Sequence, residues 1–88
     1  FDLAFVLDSG VPVQKVESSL REHGGEELEH LALFDIYEGK NVGEGEKSLA
    51  FALRVRPTSE TFTEEHLASY RAKIIDGVSK DCNARLRS

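Results

Sequence analysis

Several things are scarce or missing in this chain, and each absence removes a class of protein. There is one cysteine, Cys82, in 88 residues, so no internal disulfide can form and no second thiol is available to share a metal. A reducing compartment is expected rather than secretion. No apolar run approaches the roughly 18 residues a membrane-spanning helix needs, and no secretory signal is visible. Methionine is absent and the chain opens directly in an apolar strand at Phe1, so we expect a domain cut from a longer chain. Residues 1–88 read as one domain. A chain this short buries only about 60 to 65% of its unfolded surface, which leaves little room for an enclosed active site and favours a surface-binding role. Basic residues are few in the first half. Through Lys47 there are four against eleven acidic residues, a charge of −7, and from Ser48 onward seven against five, a charge of +2. An acidic total argues against general nucleic-acid binding, which depends on neutralising phosphates, but a late basic stripe can serve a partner held mainly elsewhere.

What is present is organised around residues 28–57. In the stretch from Ser48 to Val55, Leu49, Phe51, Leu53 and Val55 alternate with Ser48, Ala50, Ala52 and Arg54, with Arg56 continuing the second set. This is the pattern of a half-buried strand whose other face is small, polar and basic. From Leu28 to Tyr37, period two sets Ala32, Phe34 and Ile36 against Leu33, Asp35 and Tyr37. The glycine-rich connection from Glu38 to Glu46 predicts a hairpin, with Gly43 and Gly45 as turn residues of positive φ.

Before the hairpin, Asp2 to Leu7 reads as a central strand, and Asp8-Ser9-Gly10 as a turn. Val13, Val16 and Leu20 recur at helical spacing after Pro12, and Gly24-Gly25 stops that helix, predicting it over Pro12 to His23. After the hairpin, Pro57 closes the strand and 58–61 is a polar loop. Thr63 is placed as an N-cap, Phe62 as a staple against Leu67, and Leu67, Tyr70, Ile74 and Val78 carry the apolar stripe of a second helix. Gly77 weakens that helix by about 1 kcal/mol relative to alanine. Ala84 to Arg87 is long enough for one short strand. The order is strand, helix, strand, strand, helix, strand. It predicts an α+β, ferredoxin-like βαββαβ domain, with a four-stranded antiparallel sheet and both helices on one face.

Enzymatic constellations do not emerge. Gly45-Glu46-Lys47-Ser48 lacks the spacing and the following helix of a phosphate-binding loop. His23, His30 and His66 lie at no zinc-site spacing, and Glu26, Glu27 and Glu29 read as a solvated acidic run, so no catalytic and no metal-binding residue is assigned. The set that points to chemistry is the uncovered sheet face: Asp35 and Tyr37, then Ser48, Arg54 and Arg56, then Arg85 or Arg87. A carboxylate accepts from a base edge, a tyrosine stacks, small residues permit close approach, and arginines meet phosphates bidentately. The same face can also serve a ferredoxin-like protein-interaction or small-molecule regulatory module without RNA.

Several segments together resemble a known family: Asp2-Leu-Ala-Phe-Val, Val11-Pro-Val, Gly24-Gly25, Leu33-Phe-Asp-Ile-Tyr-Glu-Gly39, Val42-Gly-Glu-Gly-Glu-Lys-Ser-Leu-Ala-Phe51 and Phe62-Thr-Glu-Glu65. They are similar to the C-terminal ferredoxin-fold anticodon-binding domain of the bacterial phenylalanyl-tRNA synthetase beta subunit, over essentially the whole chain. The resemblance implies a cytoplasmic parent enzyme that charges tRNA(Phe) using ATP and Mg²⁺, as a heterotetramer of two alpha and two beta subunits. Catalysis lies in the alpha subunit, while this module touches the anticodon stem-loop and itself needs no cofactor. Carried over by motif, Asp35 and Ser48 contact the first anticodon base, Tyr37 lies beside them, and Arg85 or Arg87 completes the RNA-binding surface.

Overall fold

The computed structural model describes residues 1–39, 42–56 and 63–87. The elements run β1 (Asp2–Asp8), α1 (Val13–Gly24), a 3-10 turn (Gly25–Glu27), β2 (Leu28–Tyr37), β3 (Glu46–Val55), α2 (Glu64–Cys82) and β4 (Arg85–Leu86). The strands form one antiparallel sheet in the order β2-β3-β1-β4. β1 is therefore a central strand, as its almost wholly apolar sequence requires.

One face of the sheet supplies the core. Leu3, Phe5 and Leu7 of β1 and Leu49, Phe51 and Leu53 of β3 join Val16 and Leu20 of α1 and Tyr70, Ile74, Val78 and Cys82 of α2 in a single buried cluster. Both helices thus cover the same face, and among the described residues no helix lies over the opposite one. Each helix ends where its sequence says it should. Gly25, at φ 60°, sends its N–H back to Arg21 O, a geometry that side-chain-bearing residues avoid. Thr63 Oγ1 accepts from His66 N–H at 3.1 Å and caps α2. At the other end of α2, Asn83 takes the left-handed conformation at φ 52°.

The structure corrects four expectations. α1 begins at Val13, with Pro12 at its N-cap position in extended geometry. Gly45 has positive φ, at 77°, whereas Gly43 does not. The core residues of β2 are Leu31 and Leu33 rather than Ala32 and Phe34, because the register slips between Leu33 and Asp35. One extra residue, Phe34, opposes nothing on β3, and such a bulge reverses the alternation at that point. Phe34 is consequently 58% exposed; Ile36, opposite Leu49 on the helix-side face near the end of the strand, is 55% exposed. Finally, Gly77 is more than a weak point in α2: a Cβ there would overlap the His23 ring of α1, so its absence lets the two helices approach. Pro57, the loop 58–61 and the Phe62 staple lie outside the described residues.

Candidate nucleic-acid interface

Pairing across the strands places the uncovered face in rows, because residues directly opposite one another point the same way. The first row is Tyr37, Ser48, Val6 and Arg85. The second is Asp35, Ala50 and Ala4, completed by Arg87, whose N–H donates to Ala4 O at 2.7 Å. The third is Ala32, Ala52 and Asp2, and beyond it His30 faces Arg54. Four alanines therefore make a low floor. Tyr37, Asp35 and the two C-terminal arginines rise at one end of it, and His30 and Arg54 at the other.

The end nearest the hairpin turn is the organised one. Arg87 starts beside β1, at the β4 edge, and its side chain crosses the face. Nη1 donates to Ser48 Oγ at 3.4 Å on β3, and Cζ stands 5.5 Å from the Tyr37 ring centroid on β2, within cation-π range. Arg85 is engaged differently. Nη1 and Nη2 donate to the two Glu46 carboxylate oxygens at 2.7 and 2.9 Å, a bidentate pair. Those hydrogen bonds hold the Glu46 carboxyl below the usual carboxylate range, and the carboxylate raises Arg85 in turn.

These crossings explain one disagreement with the sequence reading. Ser48 points to the uncovered face as expected, yet it is only 3% exposed, and its neighbour Val6 is 5% exposed. No helix covers them; the arginine side chains that bridge the face above that row account for their burial. Asp35 is exposed and Tyr37 half-buried. Of the seven residues singled out from the sequence, Asp35, Tyr37, Ser48, Arg85 and Arg87 gather at one end. Arg54 and Arg56 do not join them. Ser48 and Arg54 are six positions apart on β3, about 20 Å at the rise of a strand.

Two contributors escaped the sequence reading. Glu46 looked like part of an acidic turn; counting pairs inward from the turn puts it diagonal to Arg85, which is the signal that could have found it. Gly39 follows β2 with φ 149°, and a Cβ there would stand 3.2 Å from the Tyr37 hydroxyl, so glycine leaves space beside the phenol. On the helical side, Ser19 Oγ and His23 Nε2 both lie within 2.9 Å of Asp81 Oδ2, with Glu22 close by. His66 Nε2 lies 2.7 Å from Glu27 Oε2. These groups bind the helices to each other and to the turn after α1, away from the uncovered face.

Residues 1–87 match the family of the ferredoxin-fold anticodon binding domain. Similar curated proteins are the phenylalanine-tRNA ligase beta subunits of Thermobifida fusca, 44% identical over 98% of this chain, and of Streptomyces avermitilis, 44% identical over 99%. That of Clostridium acetobutylicum is 35% identical over 98% of this chain. The chain spans about a tenth of the length of these relatives. By its topology and by this match over nearly its whole length, the chain belongs to the ferredoxin-fold anticodon binding domain family.

Proposed function

We propose that this chain is the C-terminal anticodon-binding domain of a cytoplasmic phenylalanine-tRNA ligase beta subunit, and that its Tyr37 end receives the anticodon loop of tRNA(Phe). The observation that carries the reading is Arg87 lying over Tyr37 and Ser48 beside an alanine floor. A flat base can lie close to methyl groups and stack against an aromatic ring or a guanidinium, and stacking of this kind contributes about 1–3 kcal/mol per base. Asp35, exposed one row away, offers carboxylate oxygens to the donor groups of a base edge. Ser48, held beneath Arg87, fixes the guanidinium as much as it offers a contact of its own. Arg54 and Arg56 provide positive charge farther along the sheet for the phosphate backbone.

The domain carries a net charge of −5, so its hold on RNA is local, and affinity comes from working alongside the rest of the beta subunit and the alpha subunit of an α2β2 assembly. ATP and Mg²⁺ act at a catalytic site outside this domain.

Aminoacylation by the assembled ligase tests the reading. Asp35→Ala should reduce discrimination between cognate and anticodon-variant tRNA by about fivefold or more, the lower end of what one polar base contact contributes. Equal kcat/KM values for the wild type and the variant on both tRNAs would remove Asp35 from readout.

A further inference from the structure

Arg87 can work only if the backbone that carries it is held in place; Ala84 is buried in the core and Leu86 packs against it, but toward Arg87 the ladder is short. β4 is two residues long, pairing Phe5 with Leu86 and Val6 with Arg85, and a strand so short contributes few ladder bonds of its own. Arg87 lies just past its end, anchored by one backbone bond to Ala4 O. The Arg85–Glu46 pair supplies a second hold. It runs from β4 over β1 to β3 and has a fixed fork geometry, which a single lysine-like contact would lack.

We propose that Glu46 is a positioning residue for the anticodon site: its bidentate clamp on Arg85 pins the C-terminal strand in register and so keeps the Arg87 guanidinium over Tyr37 and Ser48. The clamp also occupies Arg85, which leaves Arg87 as the arginine of this strand that faces RNA. This rests on the reading that Arg87 meets the anticodon loop. Glu46 itself touches no RNA in this arrangement.

The test uses the intact ligase with tRNA(Phe). Glu46→Ala should raise KM for tRNA about two- to fivefold with kcat unchanged, in line with the strength of a partly exposed ion pair. The charge-exchanged double variant, Glu46→Arg with Arg85→Glu, should return KM to within about twofold of wild type, since it rebuilds the pair with its ends reversed. A direct role of Arg85 on RNA predicts the reverse, a double variant worse than either single one, and would overturn the proposal. Amide exchange of the peptide spanning residues 83–87 reads the clamp without RNA. Faster exchange in Glu46→Ala is expected, and unchanged exchange would overturn the clamp whatever the kinetics. Arg87→Ala separates the two ideas. If it leaves KM unaltered, the anticodon reading falls; if it raises KM while Glu46→Ala does not, only the positioning role falls.

Discussion

Gly77 shows how one missing side chain can decide the packing of two helices. In an isolated helix, alanine at this position would add about 1 kcal/mol of stability. Here its methyl would overlap the His23 ring and force the imidazole away from Asp81. We therefore expect Gly77→Ala to destabilise the domain by about 1–3 kcal/mol, as overpacked sites do; denaturant unfolding giving a more stable variant would refute this. Asp81 sets a second expectation at the same contact. The Ser19 hydroxyl donates to its carboxylate, His23 adds to the effect, and together they hold its pKa below the ordinary value. A carboxyl depressed in the folded state stabilises at pH above its unfolded value of about 3.9 and loses that contribution as pH falls through the folded value. The stability advantage of the wild type over Asp81→Asn should accordingly be present at about pH 5 and shrink below about pH 4. An advantage unchanged down to pH 2 would contradict it. Cys82 is buried with its thiol directed at Lys15 O, 3.8 Å away, and burial pushes the thiol up, away from the reactive thiolate.

Among the elements, β2 departs furthest from a simple pattern. Its N-terminal half sends Leu31 and Leu33 to the core, and its C-terminal half sends Asp35 and Tyr37 to the uncovered face, with Phe34 as the unpaired residue between them. Counting without Phe34, the register runs continuously from Leu31 opposite Leu53 to Tyr37 opposite Ser48. Deletion of Phe34 should therefore leave a cooperative fold with the same circular dichroism spectrum. A non-cooperative melt for the Phe34 deletion would mean that the bulge is required for the strand's twist. β4 is the opposite case, an element too short to stand alone, joined to the rest by backbone bonds to β1, by the packing of Ala84 and Leu86 on the core and by the Arg85–Glu46 pair.

At the scale of the molecule, charge and shape divide the work between the two faces. The helices close the core on one side, and the sheet leaves its other side to a partner. Acidic residues dominate the hairpin turn, where Glu38, Glu44 and Glu46 surround the Tyr37 end, and they disfavour a phosphate there. Positive charge on the sheet is found instead toward Arg54 and Arg56, where the proposed function puts the RNA backbone. In the assembled ligase, Arg54→Ala or Arg56→Ala should weaken tRNA binding equally across anticodon variants. Each should reduce the slope of log affinity against log salt by about one. A slope that does not move for either variant would take that end of the sheet out of the RNA path.

The element order, the N-cap of α2, the β2–β3 hairpin and the outward direction of Asp35, Tyr37 and Ser48 were legible in the chain itself. They follow from local causes: alternation, helical spacing, a capping threonine and a glycine at a positive φ. The bulge at Phe34 was not legible, because period two has no means of marking a residue that its partner strand skips. The burial of Ser48, the assignment of Arg87 to Tyr37 and of Arg85 to Glu46, and the fit of Gly77 against His23 were also invisible. Each joins residues about 39 to 54 positions apart in the chain, and only closure of the sheet brings them within reach. The amino-acid order thus determined which face stays open and which residue types stand on it, while the tertiary structure alone decided which of those side chains meet, because long-range register belongs to the assembled sheet and to no single strand.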